Sequence, residues 1–174
     1  MSNHPLITLG ISACLLGRKV RFNGGHKRCA FIADVLPHYF SLIPICPETA
    51  IGMGVPREPI RLVQRGYDTR AVGAHTKTLD VTDSLSDCGH AFARQNKLSG
   101  FIFKKGSPSC GMDRVKLYNE NGHPAGHSTG IFAQTIMTDQ PLLPCEEEGR
   151  LNDPRLRESF FKRVYLYYHW QQLA

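Results

Sequence analysis

The 174-residue chain predicts a single α/β domain spanning residues 1–174, three layers deep, with a mostly parallel sheet and a C-terminal helix. Three observations carry that reading. β-type runs at Leu6 to Ser12, Ser41 to Ile45 and Gly100 to Phe103 alternate with segments of helical spacing, and such alternation marks a parallel sheet covered by helices. The length suits one packed core. The composition is 41% hydrophobic and 21% charged, with glycine and proline dispersed, which excludes collagen-like and disordered chains.

The elements follow in order. After the first strand, a helix from about Cys29 to Leu36 sets Phe31, Ile32 and Val35 on one face before Pro37 stops it. Past the second strand, Pro47 to Pro59 holds three prolines and two glycines and is expected to be irregular. Ile60 to Val63 and Arg70 to Ala74 read as short added strands. A helix opens near Thr82 and Asp83, carries Leu85, Cys88, Ala91 and Phe92, and ends at Lys97 before the third strand. Arg114 to Tyr118 and His123 to His127 flank an Asn121-Gly122 turn, the signature of a hairpin. Ser128 or Thr129 is placed to cap a helix through Ile131, Phe132, Thr135 and Ile136. From Asp153 to Leu173, Phe160, Phe161, Val164, Tyr165 and Tyr168 recur at helical intervals and predict a docking helix.

No apolar run approaches the roughly 20 residues that cross a bilayer, and Met1 to Gly10 lacks a secretion signal. A cytoplasmic chain without a membrane partner is expected. Twenty-one Lys and Arg against fifteen Asp and Glu leave +6, a balance that favours anionic partners without naming one. Six cysteines without dense spacing point to reduced thiols.

Three of those cysteines share a structural position. Cys14, Cys46 and Cys110 each follow the carboxyl end of a predicted strand, the edge where ligands bind in open α/β sheets. Three thiols are too many for a nucleophile-and-base pair, and no C-x2-C pair offers the usual zinc arrangement. An iron–sulfur cluster tolerates scattered cysteines, and three of them leave one iron without a protein ligand. Spacing alone leaves the alternative of three small buried hydrophobes open. Their surroundings favour a site: Ser12-Ala13-Cys14-Leu15-Leu16-Gly17, Cys46-Pro47-Glu48 and Ser107-Pro108-Ser109-Cys110-Gly111 are loops that expose backbone amides. Cys29, Cys88 and Cys145 are assigned no role, the first two on helical faces and the last in a polar loop. Arg57 and Arg61 are expected to pair with Glu147 or Glu148 and pin the proline-rich loop.

Together with Gly126 to Phe132 and the segment from Glu147, these runs closely resemble the thiouracil desulfidase family over nearly the whole chain. The resemblance implies a Rossmann-like fold and a [4Fe-4S] cluster on Cys14, Cys46 and Cys110. It implies non-redox desulfuration of thiouracil or 4-thiouridine monophosphate, with Glu48 and Ser109 as catalytic residues. A small thiolated pyrimidine or its nucleotide is the expected partner rather than a nucleic acid. The alternatives are a desulfidase acting on 4-thiouridine within tRNA, whose relatives carry an additional C-terminal region, and a non-enzymatic iron–sulfur or nucleotide sensor. Three thiolates around a 2+ core leave about one negative charge at the site, so the surplus cations are expected to serve a substrate phosphate. Arg21, Lys27, Lys105 and the helix start at Ser128, Thr129 and Gly130 are the candidate contacts.

Overall fold

The computed structural model describes residues 7–174, so the expected first strand residue Leu6 lies outside the described residues. Strand β1 (Ile7–Ser12) is central in a parallel sheet, with β2 (Phe40–Ile45) on one side and β5 (Gly100–Phe103) then β8 (Cys145–Glu147) on the other. Leu9 stands level with Leu42 on β2 and Gly100 on β5. All four residues of β5 are buried, as expected where helices cover both faces.

Alternation along β5 divides the core. Phe101 and Phe103, stacked at 4.0 Å between ring centroids, face Phe92 and Phe132. Those two rings come from helices α2 (Thr82–Gln95) and α3 (Ile131–Asp139). Ile102 points the other way, into a cluster with Leu9, Ile11, Ile32, Phe160 and Val164. The last two belong to the C-terminal helix α4 (Pro154–Leu173). The result is the expected three-layer α/β arrangement with a parallel sheet between helices. Asp153 caps α4 by accepting hydrogen bonds from the amides of Arg155 and Leu156, with Pro154 at the first helical position.

Four further strands form a second sheet in the order β4-β3-β6-β7. It comprises β3 (Ile60–Arg65), β4 (Asp68–Gly73), β6 (Val115–Tyr118) and β7 (Pro124–Ser128). β3 pairs antiparallel with β4 and parallel with β6, and β6 and β7 form the expected hairpin. Gly122 turns it with φ +83°, a region open to glycine at little cost. Ile60, Leu62, Ala71, Val115 and Leu117 pack this sheet against Leu85 of α2 and Ile131 of α3.

Several local expectations are corrected. The Cys29 to Leu36 helix is a π-helical turn, Phe31–Val35, followed by a 3-10 turn, Leu36–His38. Pro47–Ala50 forms a one-turn helix, α1, at the head of the stretch expected to be irregular, because proline at the first helical position loses no hydrogen bond. Cys145 is in strand β8, not in a loop. Neither Ser128 nor Thr129 caps α3; Gly130 holds the N-cap position, and the Thr129 hydroxyl donates to the Met112 carbonyl. Among the described residues no helix is long and apolar enough to cross a membrane.

Candidate active site

β2, β1 and β5 are adjacent and parallel, so their carboxyl ends open side by side on one edge of the sheet. Chain order reverses direction across β1, with β2 to one side and β5 to the other, which places a crevice at this edge. Cys14 lies in the 3-10 turn Ala13–Leu16 after β1, Cys46 is the N-cap of α1 directly after β2, and Cys110 follows β5 in the Lys104 to Gly111 loop. All three line one cavity of about 270 Å³. Each is a free thiol, Cys14 and Cys110 buried and Cys46 half-buried.

A hydrogen-bonded chain crosses the same cavity. Glu48, on α1, is 9% exposed. The Ser109 hydroxyl donates to its Oε1 at 2.9 Å, and the Arg57 Nε donates to its Oε2 at 2.8 Å. Because Ser109 gives its proton to the carboxylate, Ser107 Oγ, 3.0 Å away, is the donor to Ser109. Ser107 Oγ in turn accepts from the backbone amides of Ser109 and Cys110. The Ser-Pro-Ser-Cys run thus folds on its own hydroxyls, which orients Ser109 toward Glu48 and Cys110 toward the cavity.

Burial pushes the Cys14 thiol up to about 11, with Lys104 and Arg21 pulling against it. Burial also raises Cys110, opposed by a hydrogen bond with Ser12, and the charges of Cys46 and Cys14 raise it further. Buried thiols of this kind give up their protons to serve as ligands only where a cationic centre takes the protons' place. Among the described residues no three His, Cys, Asp or Glu side chains gather as a single-ion site. The three-cysteine donor set fits an iron–sulfur centre.

Arg21, Lys27 and Lys105, the candidate phosphate contacts, line the cavity, joined by Lys104. Lys104 Nζ is paired with Glu148 at 2.6 Å, and Lys105 donates its amide to the same carboxylate at 2.7 Å. Ser128, Thr129 and Gly130 are not on the cavity wall. The amides of Gly130, Ile131 and Ala133 are donated to the carbonyls of Gly111, Pro108 and Ser109, so these amides have no hydrogen left for an anion. Gly130 instead packs against the site from behind: a Cβ there would fall 2.7 Å from the Ser109 carbonyl carbon.

The expected partners of Arg57 and Arg61 are also corrected. Arg57 pairs with Glu48, Arg61 lies over the Tyr118 ring at 5.3 Å, and Glu147 accepts from the Met112 amide. Ser107 and Lys104 are cavity residues to which the sequence reading assigned no role, and Arg57, read there as pinning the proline-rich loop, reaches the cavity itself through Glu48. Ser107 stands within the Ser-Pro-Ser-Cys run noted there, and Lys104 lies three residues upstream of it. Cys29, Cys88 and Cys145 do not line the cavity.

A family model described as 2-thiouracil desulfurase matches residues 9–148. The chain is 32% identical over 151 residues to the uncharacterized protein YbbK of Bacillus subtilis (strain 168), a match covering 82% of this chain and 97% of that protein. It is similar in structure to the [4Fe-4S]-dependent thiouracil desulfidase TudS, with a TM-score of 0.66 and 26% identity, covering 90% of this chain and 99% of that one.

Proposed function

The chain belongs to the 2-thiouracil desulfurase family, and from that premise we propose that it is an enzyme removing sulfur from thiolated uracils at a [4Fe-4S] cluster on Cys14, Cys46 and Cys110. The substrate is thiouracil or 4-thiouridine monophosphate, and the products are the oxygen analogue and hydrosulfide. The observation that carries this reading is the meeting of three strand-end thiols with a buried Ser109-Glu48-Arg57 chain in one cavity. When bound, the cluster supplies a Lewis-acidic iron without a thiolate ligand, which polarises the thiocarbonyl sulfur.

The chain's own residues supply the remainder. Replacing sulfur by oxygen without redox change consumes one water, whose oxygen bonds to the ring carbon while the carbon–sulfur bond breaks. Glu48, ion-paired with Arg57, takes the proton from that water. The Ser109 hydroxyl holds the carboxylate in the ground state and is placed to orient the water or a pyrimidine edge. Arg21, Lys27 and Lys105 at the cavity wall supply positive charge for a substrate phosphate.

The test is anaerobic turnover of free 2-thiouracil and 4-thiouridine monophosphate, with hydrosulfide and the oxygenated product measured together. One hydrosulfide per product without added reductant supports the reading. Product formation that requires an electron donor contradicts it.

A further inference from the structure

We propose that Arg57 is a positioning residue that aims the Glu48 carboxylate and ties it to the Val20 to Phe22 loop walling the cavity. The inference rests on the desulfidase reading for its kinetic consequence, while the tie itself is a property of the chain.

The Arg57 side chain is only 5% exposed and reaches three separate segments. Its Nε donates to Glu48 Oε2 at 2.8 Å, its Nη2 to the Val20 carbonyl at 2.9 Å, and its Nη1 to the Gly54 carbonyl at 2.8 Å. Its backbone amide donates to the Phe22 carbonyl at 2.9 Å. Ser109 holds the other Glu48 oxygen from the opposite side at 2.9 Å. The carboxylate is therefore gripped once on each oxygen, by donors from two different loops, and cannot rotate without breaking one of them.

The guanidinium is suited to this by shape. Its planar fork serves three acceptors lying in different directions, which a lysine ammonium on a flexible stem cannot reproduce in fixed geometry. The Val20 carbonyl also receives the Cys46 thiol at 3.7 Å. A general base displaced by 1 Å loses on the order of 100-fold in rate, so the positioning is worth a kinetic effect larger than any binding effect.

The test compares wild type with Arg57→Ala, Arg57→Lys and Arg57→Gln, all reconstituted anaerobically. Arg57→Ala is expected to keep the iron content and visible spectrum of the wild type, to lose about 100-fold in kcat, and to hold KM within about threefold. Roughly 50 mM guanidinium, far below denaturing concentrations, is expected to restore at least a tenth of wild-type kcat to Arg57→Ala, whereas ammonium is not. Arg57→Lys is expected to lie closer to Arg57→Ala than to wild type. In the metal-free protein, hydrogen exchange of residues 18–25 is expected to rise in Arg57→Ala and Arg57→Gln while that of α4 stays unchanged. An unchanged kcat, an effect confined to KM, or a fully active Arg57→Lys overturns the proposal, as does unchanged exchange in residues 18–25. An inactive wild type would overturn the desulfidase reading instead, and the exchange measurement would still decide whether Arg57 ties the loop.

Discussion

Gly130→Ala tests how closely the site depends on the backbone behind it. Gly130 has φ −60° and ψ 143°, which alanine adopts freely, so the perturbation is steric alone. An added Cβ would stand 2.7 Å from both the carbonyl carbon and oxygen of Ser109 and 2.9 Å from the Cys110 nitrogen. All three atoms are backbone and have no rotamer to yield. Opening the shortest contact to about 3.5 Å requires a shift of roughly 0.8 Å in the segment that carries Ser109 Oγ and Cys110 Sγ. The 2.9 Å hydrogen bond from Ser109 to Glu48 would then stretch to as much as about 3.7 Å, outside hydrogen-bonding range. Overpacking of this kind costs about 1–3 kcal/mol, which for a chain of this length lowers Tm by roughly 3–10 °C. Misplacement near 1 Å costs on the order of 100-fold in turnover. Thermal melting, iron analysis and hydrosulfide release on one preparation separate the two effects. Wild-type melting with wild-type kcat would refute the steric reasoning. A rise in KM confined to the phosphorylated substrate, with kcat intact, would return Gly130 to an anion-binding role.

Three further perturbations follow from the same geometry. Glu48→Gln leaves the Arg57 cation buried without a counter-charge, and is expected to destabilise the protein by about 3–5 kcal/mol in chemical denaturation and to lower turnover by about 10²–10⁴-fold, with iron retained. Cys110→Ala is expected to abolish stable iron and acid-labile sulfide incorporation, whereas Cys145→Ala, away from the cavity, leaves both at wild-type stoichiometry. In the metal-free chain, burial raises the folded-state thiols, Cys14 to about 11, so their protons are retained above the unfolded-state value near 9. Their contribution to stability is complete below pH 9 and falls as pH rises through about 11; urea denaturation at pH 8 and pH 10.5 is expected to show that loss, reduced in Cys14→Ala.

The parts of the fold set by local pattern were legible in the sequence. β1 and β5 are short apolar runs buried on both faces, β2 is a half-buried run beside them, and the Asn121-Gly122 turn needs only its own residues to specify the hairpin. Elements whose stability comes from distant partners were not. Cys145–Glu147 reads as a polar loop, yet its carboxylates are buried because Arg150 donates to Glu146 and the Met112 amide to Glu147. Arg57 offers no clue to which of several acids it meets, since that choice is made when loops 37 and 9 residues away close around it. A Ser-Thr-Gly helix start suggests free amides, and only the packed Pro108 to Gly111 loop shows those of Gly130, Ile131 and Ala133 already spent. The three cysteines could be placed because strand ends in a parallel sheet share one edge whatever the helices do.

The central claim is that Cys14, Cys46 and Cys110 hold a [4Fe-4S] cluster that desulfurates a thiolated uracil beside Glu48. It is tested most directly by anaerobic reconstitution followed by iron and acid-labile sulfide analysis and hydrosulfide release from 4-thiouridine monophosphate on the same sample. The account predicts about four irons and four sulfides per chain, and catalytic release that disappears in Cys110→Ala. A colourless zinc protein, or release undiminished in Cys110→Ala, would contradict it.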